Sequence, residues 1–141
     1  MKCERILVPV DFSAGSERAL DYAVQFAIPF DAGLTLIHVT YIPDPPGFNL
    51  DAVIRRAETD RRQDLLAYQK RTSEAGVLSD THMDRGMPAL KIVEAAQHGE
   101  VDLIVMGTHG RTGLKHLLLG SVAERVVQLA SCPVIVVPNQ T

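Results

Sequence analysis

Short apolar runs alternate along the chain with segments in which apolar residues recur at helical spacing. The runs predict β-strands over residues 6–10, 34–39, 77–85, 101–106 and 134–137. The helical spacing predicts helices over residues 13–28, 50–75, 88–98 and 121–130. Ser13 or Ser16 is expected to cap the first helix, and Pro29 to end or kink it near Ile28. The third strand is weak and polar, which is typical of a sheet edge.

This alternation predicts the fold class. Strands such as 103–105 are continuously apolar, which indicates burial on both faces. Strands that alternate with helices predict parallel pairing through right-handed crossovers. We therefore expect an α/β fold with a single open, five-stranded, mostly parallel sheet and helices on both faces, Rossmann-like in layout. The length of 141 residues fits one domain, over residues 1–141. Ligands of such sheets bind beyond the carboxyl ends of the strands, where the strand order reverses.

A glycine-rich loop follows the fourth predicted strand. Its glycines are spaced as Gly-x-x-Gly, nine residues, then Gly-Ser, and they comprise Gly107, Gly110, Gly113 and Gly120 before Ser121. Glycine permits positive φ and a close approach of backbone N–H groups to an anion, and the next helix start adds further donors. The loop therefore predicts a phosphate-binding site. The alternative is a long connection whose glycines only form turns.

Asp11 lies at the same predicted edge, whereas His38 lies within a predicted strand. Asp11 follows the first strand and would bind a ribose hydroxyl, a base, or a metal ion carried by phosphate; alternatively, it only caps its own turn. His38 lies inside the second strand and is expected to be a hydrogen-bonded core histidine.

The glycine loop also carries basic residues, namely His109, Arg111, Lys115 and His116. They would screen phosphate charge, or they belong to a solvated loop. Ser121 is better explained as a helix cap and phosphate donor than as a nucleophile, since no Ser-His-Asp arrangement is visible. No catalytic residue and no protein-held metal are predicted.

Composition and missing motifs exclude several classes of protein. The formal net charge of −3 argues against nucleic acid or an anionic membrane as a partner. The apolar runs are only as long as strands, which is too short to span a membrane. The start of the chain has no signal-peptide core. Two cysteines without metal spacing favour a cytoplasmic location. Neither the common P-loop nor Gly-x-Gly-x-x-Gly is present.

The whole chain resembles the universal stress protein family. The stretches that carry the resemblance are ILVPVDFS at 6–13, LIHV at 36–39, and residues 102–137 with GTHGR, GSVAE and CPV. The Gly-x-x-Gly-x9-Gly-Ser spacing marks the branch of that family that binds ATP. The resemblance also implies a fold like that of the adenine nucleotide alpha hydrolases.

The resemblance assigns parts of an ATP site by position. It implies that Pro9, Val10 and Asp11 line the adenosine site, that Val39 contacts adenine, and that Met106 and Gly107 border the base and ribose. It also implies that the phosphates are bound by Gly110, Arg111, Gly120, Ser121 and Val122. The ATP is expected to carry Mg or Mn.

The resemblance further implies a homodimer through the last strand, Val134, Ile135, Val136 and Val137. We expect a cytoplasmic ATP-binding stress-response protein that acts as a nucleotide-dependent switch or sensor, read by an unknown signalling partner. One alternative is a slow ATP hydrolase or phosphotransferase that uses the same pocket. Another is a nucleotide-free dimeric scaffold.

Overall fold

A computed structural model describes residues 2–41, 51–108 and 119–139 of the chain. The strands are β1 (Arg5–Pro9), β2 (Gly33–Tyr41), β3 (Ser79–Gly86), β4 (Leu103–Gly107) and β5 (Val134–Val137). The helices are α1 (Ala14–Phe30), α2 (Asp51–Glu74), α3 (Pro88–His98) and α4 (Ser121–Leu129). Each predicted strand and helix is present, with ends that differ from the prediction by a few residues. Within the described ranges, no helix combines the length and apolar character needed to cross a membrane.

The strands form one sheet in the order β3-β2-β1-β4-β5, and every described pairing is parallel. The predicted fold class is therefore confirmed. The polar strand β3 lies at one edge, as predicted, and the apolar strand β5 lies at the other. Because β1 lies between β2 and β4, the order reverses at β1, and a ligand crevice is expected beside its carboxyl end.

The helices cover both faces of the sheet. Alternate residues of a strand point to opposite faces, so Ile6 packs with Leu20 of α1 and Leu65 of α2 on one side. On the other side, Leu7 packs with Ile92 of α3 and Val126 of α4. The two apolar layers fix the position of each helix start relative to the carboxyl ends of the strands.

The ends of α1 differ in part from the prediction. Ser13 is the N-cap, and its hydroxyl accepts a hydrogen bond from the Ser16 N–H at 3.2 Å. The expectation that Pro29 ends the helix near Ile28 is wrong, because α1 contains Pro29 and continues to Phe30. Proline in the last turn removes one backbone donor only, and the helix ends at Asp31 in a left-handed conformation with φ 53°.

Helix α2 is buried along its C-terminal half only. The predicted apolar stripe includes Ala57, Leu65 and Tyr68, of which Leu65 and Tyr68 are buried and Ala57 is exposed. In the N-terminal half, Ala57 lies at the wall of a cavity. A bidentate pair between Glu58 and Arg85 of β3, at 2.6 and 2.8 Å, holds this half of the helix in place.

Candidate functional site

A crevice of about 800 Å³ opens at the carboxyl edge of the sheet, where the ends of β2, β1 and β4 meet. This volume is within the range of small-ligand sites. The starts of α1, α3 and α4 border it through Ser13, Pro88 and Ser121. Helix starts carry unpaired N–H groups and partial positive charge, so the crevice is suited to an anion.

The predicted site residues within the described ranges all line this crevice, namely Pro9, Val10, Asp11, Val39, Met106, Gly107, Gly120, Ser121 and Val122. The predicted phosphate contacts Gly110 and Arg111 lie outside the described residues, as do Gly113 and the basic residues His109, Lys115 and His116. The fold therefore brings together residues that are far apart in the sequence.

One part of the crevice is apolar. Ile92 and Met106 are buried, and they line the crevice together with Val39 and Pro88. Apolar walls of this kind bury the faces of a planar ring, since removing apolar surface from water is favourable.

The backbone of Val39 faces the crevice. On the β1 side of β2, Gly33 N–H donates to the Glu4 carbonyl (2.9 Å), and the Ile37 carbonyl accepts from Val10 (2.8 Å). Backbone groups along a strand alternate in direction, so Val39 also points its N–H and C=O to this side. β1 has ended at Pro9, which pairs with Ile37. The polar groups of Val39 are therefore directed at the open crevice.

Asp11 forms the local turn that sequence reasoning gave as its alternative role. Its Oδ1 accepts from the Ser13 N–H at 3.0 Å and from the Ser13 hydroxyl at 2.5 Å. Ser13 in turn accepts from Ser16, so the carboxylate and the α1 cap form one chain of hydrogen bonds. The turn fixes the Asp11 side chain at the crevice wall.

Phe12 lies in this turn with a positive φ of 64°. A left-handed conformation costs a non-glycine residue about 1–2 kcal/mol, and packing must offset that cost. Its ring packs against His38 (5.1 Å) and Tyr68 (5.2 Å), and the Arg61 guanidinium lies over it at 5.5 Å, all measured to the ring centroid. Burial, and then the charge of Glu17, raise the pKa of Tyr68 to about 12. The strained turn is therefore held by α2.

His38 is hydrogen-bonded, as predicted, but it lies half-buried at the crevice rather than in the core. Its Nδ1 is 2.8 Å from the Val10 carbonyl. Because a carbonyl only accepts, Nδ1 carries the proton of this bond. The contact ties β2 to the turn that follows β1.

Gly107 is required for packing rather than for a positive φ. It is the last residue of β4, and a Cβ there would lie 3.0 Å from both the carbonyl carbon and oxygen of Gly15 in α1. Only φ values in the left-handed region would demand glycine for conformational reasons, and Gly107 is not in that region. The expectation of a conformational role is therefore wrong at this position, and the close approach of β4 to α1 replaces it.

The start of α4 differs from the prediction in its cap. Gly120 is the N-cap, with φ −72°, and Ser121 is the first helical residue, so Ser121 does not cap the helix. The Gly120 N–H donates to the Thr108 carbonyl at 2.7 Å, and Glu124 donates the first helical bond, to Gly120. The N–H groups of Ser121, Val122 and Ala123 therefore have no helical acceptor and are available to a ligand.

The α2 wall contributes residues that the sequence did not indicate as functional. Asp60 and Arg61 line the crevice, although their charged segment is typical of a solvated helix face. The hydrogen bond from Arg85 holds the pKa of Glu58 below its usual range, against the effect of burial. Sequence periodicity gave no sign of this wall, because it does not reveal which residues of α2 line the crevice.

No group of three or more His, Cys, Asp or Glu side chains within the described ranges is arranged to hold a metal ion.

Known proteins resemble this chain over nearly its whole length. The universal stress protein family matches residues 2–138. The universal stress protein MJ0531 of Methanocaldococcus jannaschii is 39% identical over 138 residues, which cover 95% of this chain and 81% of that protein.

The solved structures show the same architecture. That of MJ0577 from the same organism superimposes with a TM-score of 0.91 at 30% identity, covering 100% of this chain and 99% of that one. A universal stress protein from Archaeoglobus fulgidus in complex with dAMP shares the fold, with a TM-score of 0.71 at 23% identity and coverage of 96% and 98%. The family match and the shared architecture lead to one conclusion: this chain belongs to the universal stress protein family.

Proposed function

We propose that the chain binds ATP in the crevice and acts as a nucleotide-dependent switch or sensor in a stress response. The observation that carries the proposal is the start of α4, where three N–H groups without helical acceptors, those of residues 121–123, border the same crevice as an apolar wall. Helix starts of this kind bind phosphate through N–H donors and the helix dipole. A ligand with a planar apolar part and an anionic part fits both features.

The crevice supports adenine in particular through Val39. An adenine edge carries both donors and acceptors, and Val39 presents an N–H and a C=O side by side. Val39, Ile92 and Met106 supply the apolar contact for the ring faces. The A. fulgidus complex with dAMP is consistent with adenine in this fold. Asp11 is suited to a ribose hydroxyl, since a carboxylate accepts hydrogen bonds from such groups.

We propose Mg or Mn as the accompanying cation, held mainly by the phosphates. Asp11 is a suitable single protein ligand, because hard divalent cations prefer carboxylate oxygen.

Binding without rapid turnover fits the donors in the crevice. Backbone N–H groups stabilise phosphate in the ground state and in the transition state alike, and only preferential stabilisation of the transition state accelerates a reaction. We propose on this ground that occupancy, rather than hydrolysis, is the signal read by the partner.

We further propose a homodimer through β5 and a cytoplasmic location. β5 pairs with β4 on one side only among the described strands. Val134, Ile135 and Val136 are half-buried and apolar, and an edge of this kind pairs readily with a second copy. Both Cys3 and Cys132 are unpaired thiols, in keeping with a reducing compartment.

Calorimetric titration with ATP and Mg²⁺ tests the proposed function. We expect saturable binding of one ATP per chain, and weaker binding of adenosine, which lacks the phosphates. Mass spectrometry of small molecules released on denaturing the purified protein gives an independent measure of occupancy. Absence of ATP binding at millimolar concentration, with no nucleotide released, would favour the nucleotide-free scaffold instead.

A further inference from the structure

Arg61 of α2 is the one Lys or Arg side chain that lines the crevice within the described ranges. Asp11 and Asp60 also line the crevice. A polyanionic ligand would be repelled by these two groups, so the charge of Arg61 matters more here than it would in a basic site.

The Arg61 side chain is held at the crevice by three features. Its guanidinium packs over the Phe12 ring, 5.5 Å from the centroid, and Phe12 lies directly between Asp11 and Ser13 of the crevice wall. The Glu58–Arg85 pair fixes the part of α2 from which Arg61 extends. The side chain is 31% exposed, so it remains open to a ligand on one side.

One donor of Arg61 is not used. The Nε atom is buried and has no hydrogen-bond partner among the described residues. Asp64 Oδ2 lies 3.1 Å from Nε, but the N–H does not point at that oxygen. Half-exposed pairs within one helix contribute little to stability, and because Nε is buried, a ligand would reach the Nη donors of the guanidinium.

We propose that Arg61 contacts a phosphate of the bound nucleotide and is a specificity residue for phosphorylated over unphosphorylated adenosine. This inference rests on the proposed function. One face of the guanidinium already packs on Phe12, which leaves the N–H donors along its edge for the ligand. Those donors match the oxygens of phosphate in a bidentate arrangement. Arg61 lies beside the Asp11 turn. The phosphate that it contacts would therefore lie next to the ribose hydroxyl proposed for Asp11.

The test compares ATP, AMP and adenosine in calorimetric titrations of Arg61→Met and the wild type. Methionine retains an unbranched apolar side chain over Phe12 and removes the charge. We expect ATP and AMP to bind about tenfold more weakly or worse, since a charge-assisted bond is lost, and adenosine to bind unchanged. Arg56→Met is the matched control, because Arg56 is exposed on the same helix and does not line the crevice.

The outcomes separate this inference from the proposed function. A wild type that binds no nucleotide removes the proposed function and the inference together. If the wild type binds ATP and Arg61→Met binds it as Arg56→Met does, only the role of Arg61 is refuted. An equal loss for adenosine and ATP would also refute it, because that result makes Arg61 a packing residue. Arg61→Gln, which also removes the charge, replaces Arg61→Met if circular dichroism shows that the methionine variant does not fold, and the same results are expected from it.

Discussion

Replacing Ser121 with proline removes a single backbone donor from the start of α4. Proline is favoured at the first helical position, where its fixed φ suits the helix and no helical hydrogen bond is lost. The residue before proline must be extended, and Gly120 is, with ψ 167°. Ser121 is exposed, so no core contact changes. The substitution should therefore leave the helix intact and stabilise the protein slightly, by about 0.4–1 kcal/mol.

The same substitution should weaken ATP binding. A hydrogen bond to a charged group contributes about 1.5–3 kcal/mol, which corresponds to a roughly tenfold to hundredfold rise in Kd. Ser121→Ala is the control, because it removes the hydroxyl and keeps the N–H. Calorimetric titration gives the affinities, and thermal unfolding gives the stability. Equal ATP affinity in Ser121→Pro and Ser121→Ala would refute the assignment of this N–H to phosphate.

Four further predictions concern packing, charge, assembly and turnover. Gly107→Ala should lower the free energy of unfolding in urea by about 1–3 kcal/mol, because the added Cβ would meet the backbone of α1. Gly33→Ala is the control and should not lower it, because the added Cβ would have 3.8 Å of space. Since Arg85 lowers the pKa of Glu58, the pair stabilises the fold above the unfolded glutamate pKa of about 4.3, and that contribution is lost as the pH falls through the lower folded value. Arg85→Gln should thus destabilise the fold at pH 7 and destabilise it much less at pH 3. An equal loss of stability at both pH values would contradict the pairing. Val136→Lys should convert the proposed homodimer to a monomer, as measured by light scattering. An unchanged dimer mass would place the interface elsewhere, and a monomeric wild type would refute the proposed homodimer. Steady-state phosphate release should lie far below the usual enzyme median of about 10 per second; turnover near it would favour the hydrolase.

The fold could be predicted from the sequence because burial on two faces leaves continuous apolar strands. The polar residues of β3 placed it at an edge, and the short apolar β5 was expected to have an unpaired edge. Helix ends were less predictable. Pro29 is compatible with the last turn of α1, and Gly120 rather than Ser121 precedes α4, since local preferences leave such ends open by one or two residues.

The site was predictable where it follows strand ends, and not where it depends on helix position. Asp11 follows β1 and Gly107 ends β4, so their meeting at one edge follows from parallel pairing. Val39 and Met106 were assigned by the resemblance to the universal stress protein family. Arg61 lies at the crevice because of how α2 packs against the sheet, which its charged sequence segment does not indicate. Gly107 was expected to serve the ligand, and its contact with α1 depends on the distance between two elements, which no spacing in the sequence records.

Hydrogen exchange at the start of α4 tests most directly whether nucleotide occupies the crevice. The amides of residues 121–123 have no helical acceptor, so they should exchange rapidly in the free protein. Addition of ATP with Mg²⁺ should slow their exchange markedly, while the amides of residues 70–74 at the end of α2, which do not line the crevice, should be unaffected. Unchanged exchange at residues 121–123 in protein saturated with ATP would contradict the account, because the phosphates would then be bound somewhere else.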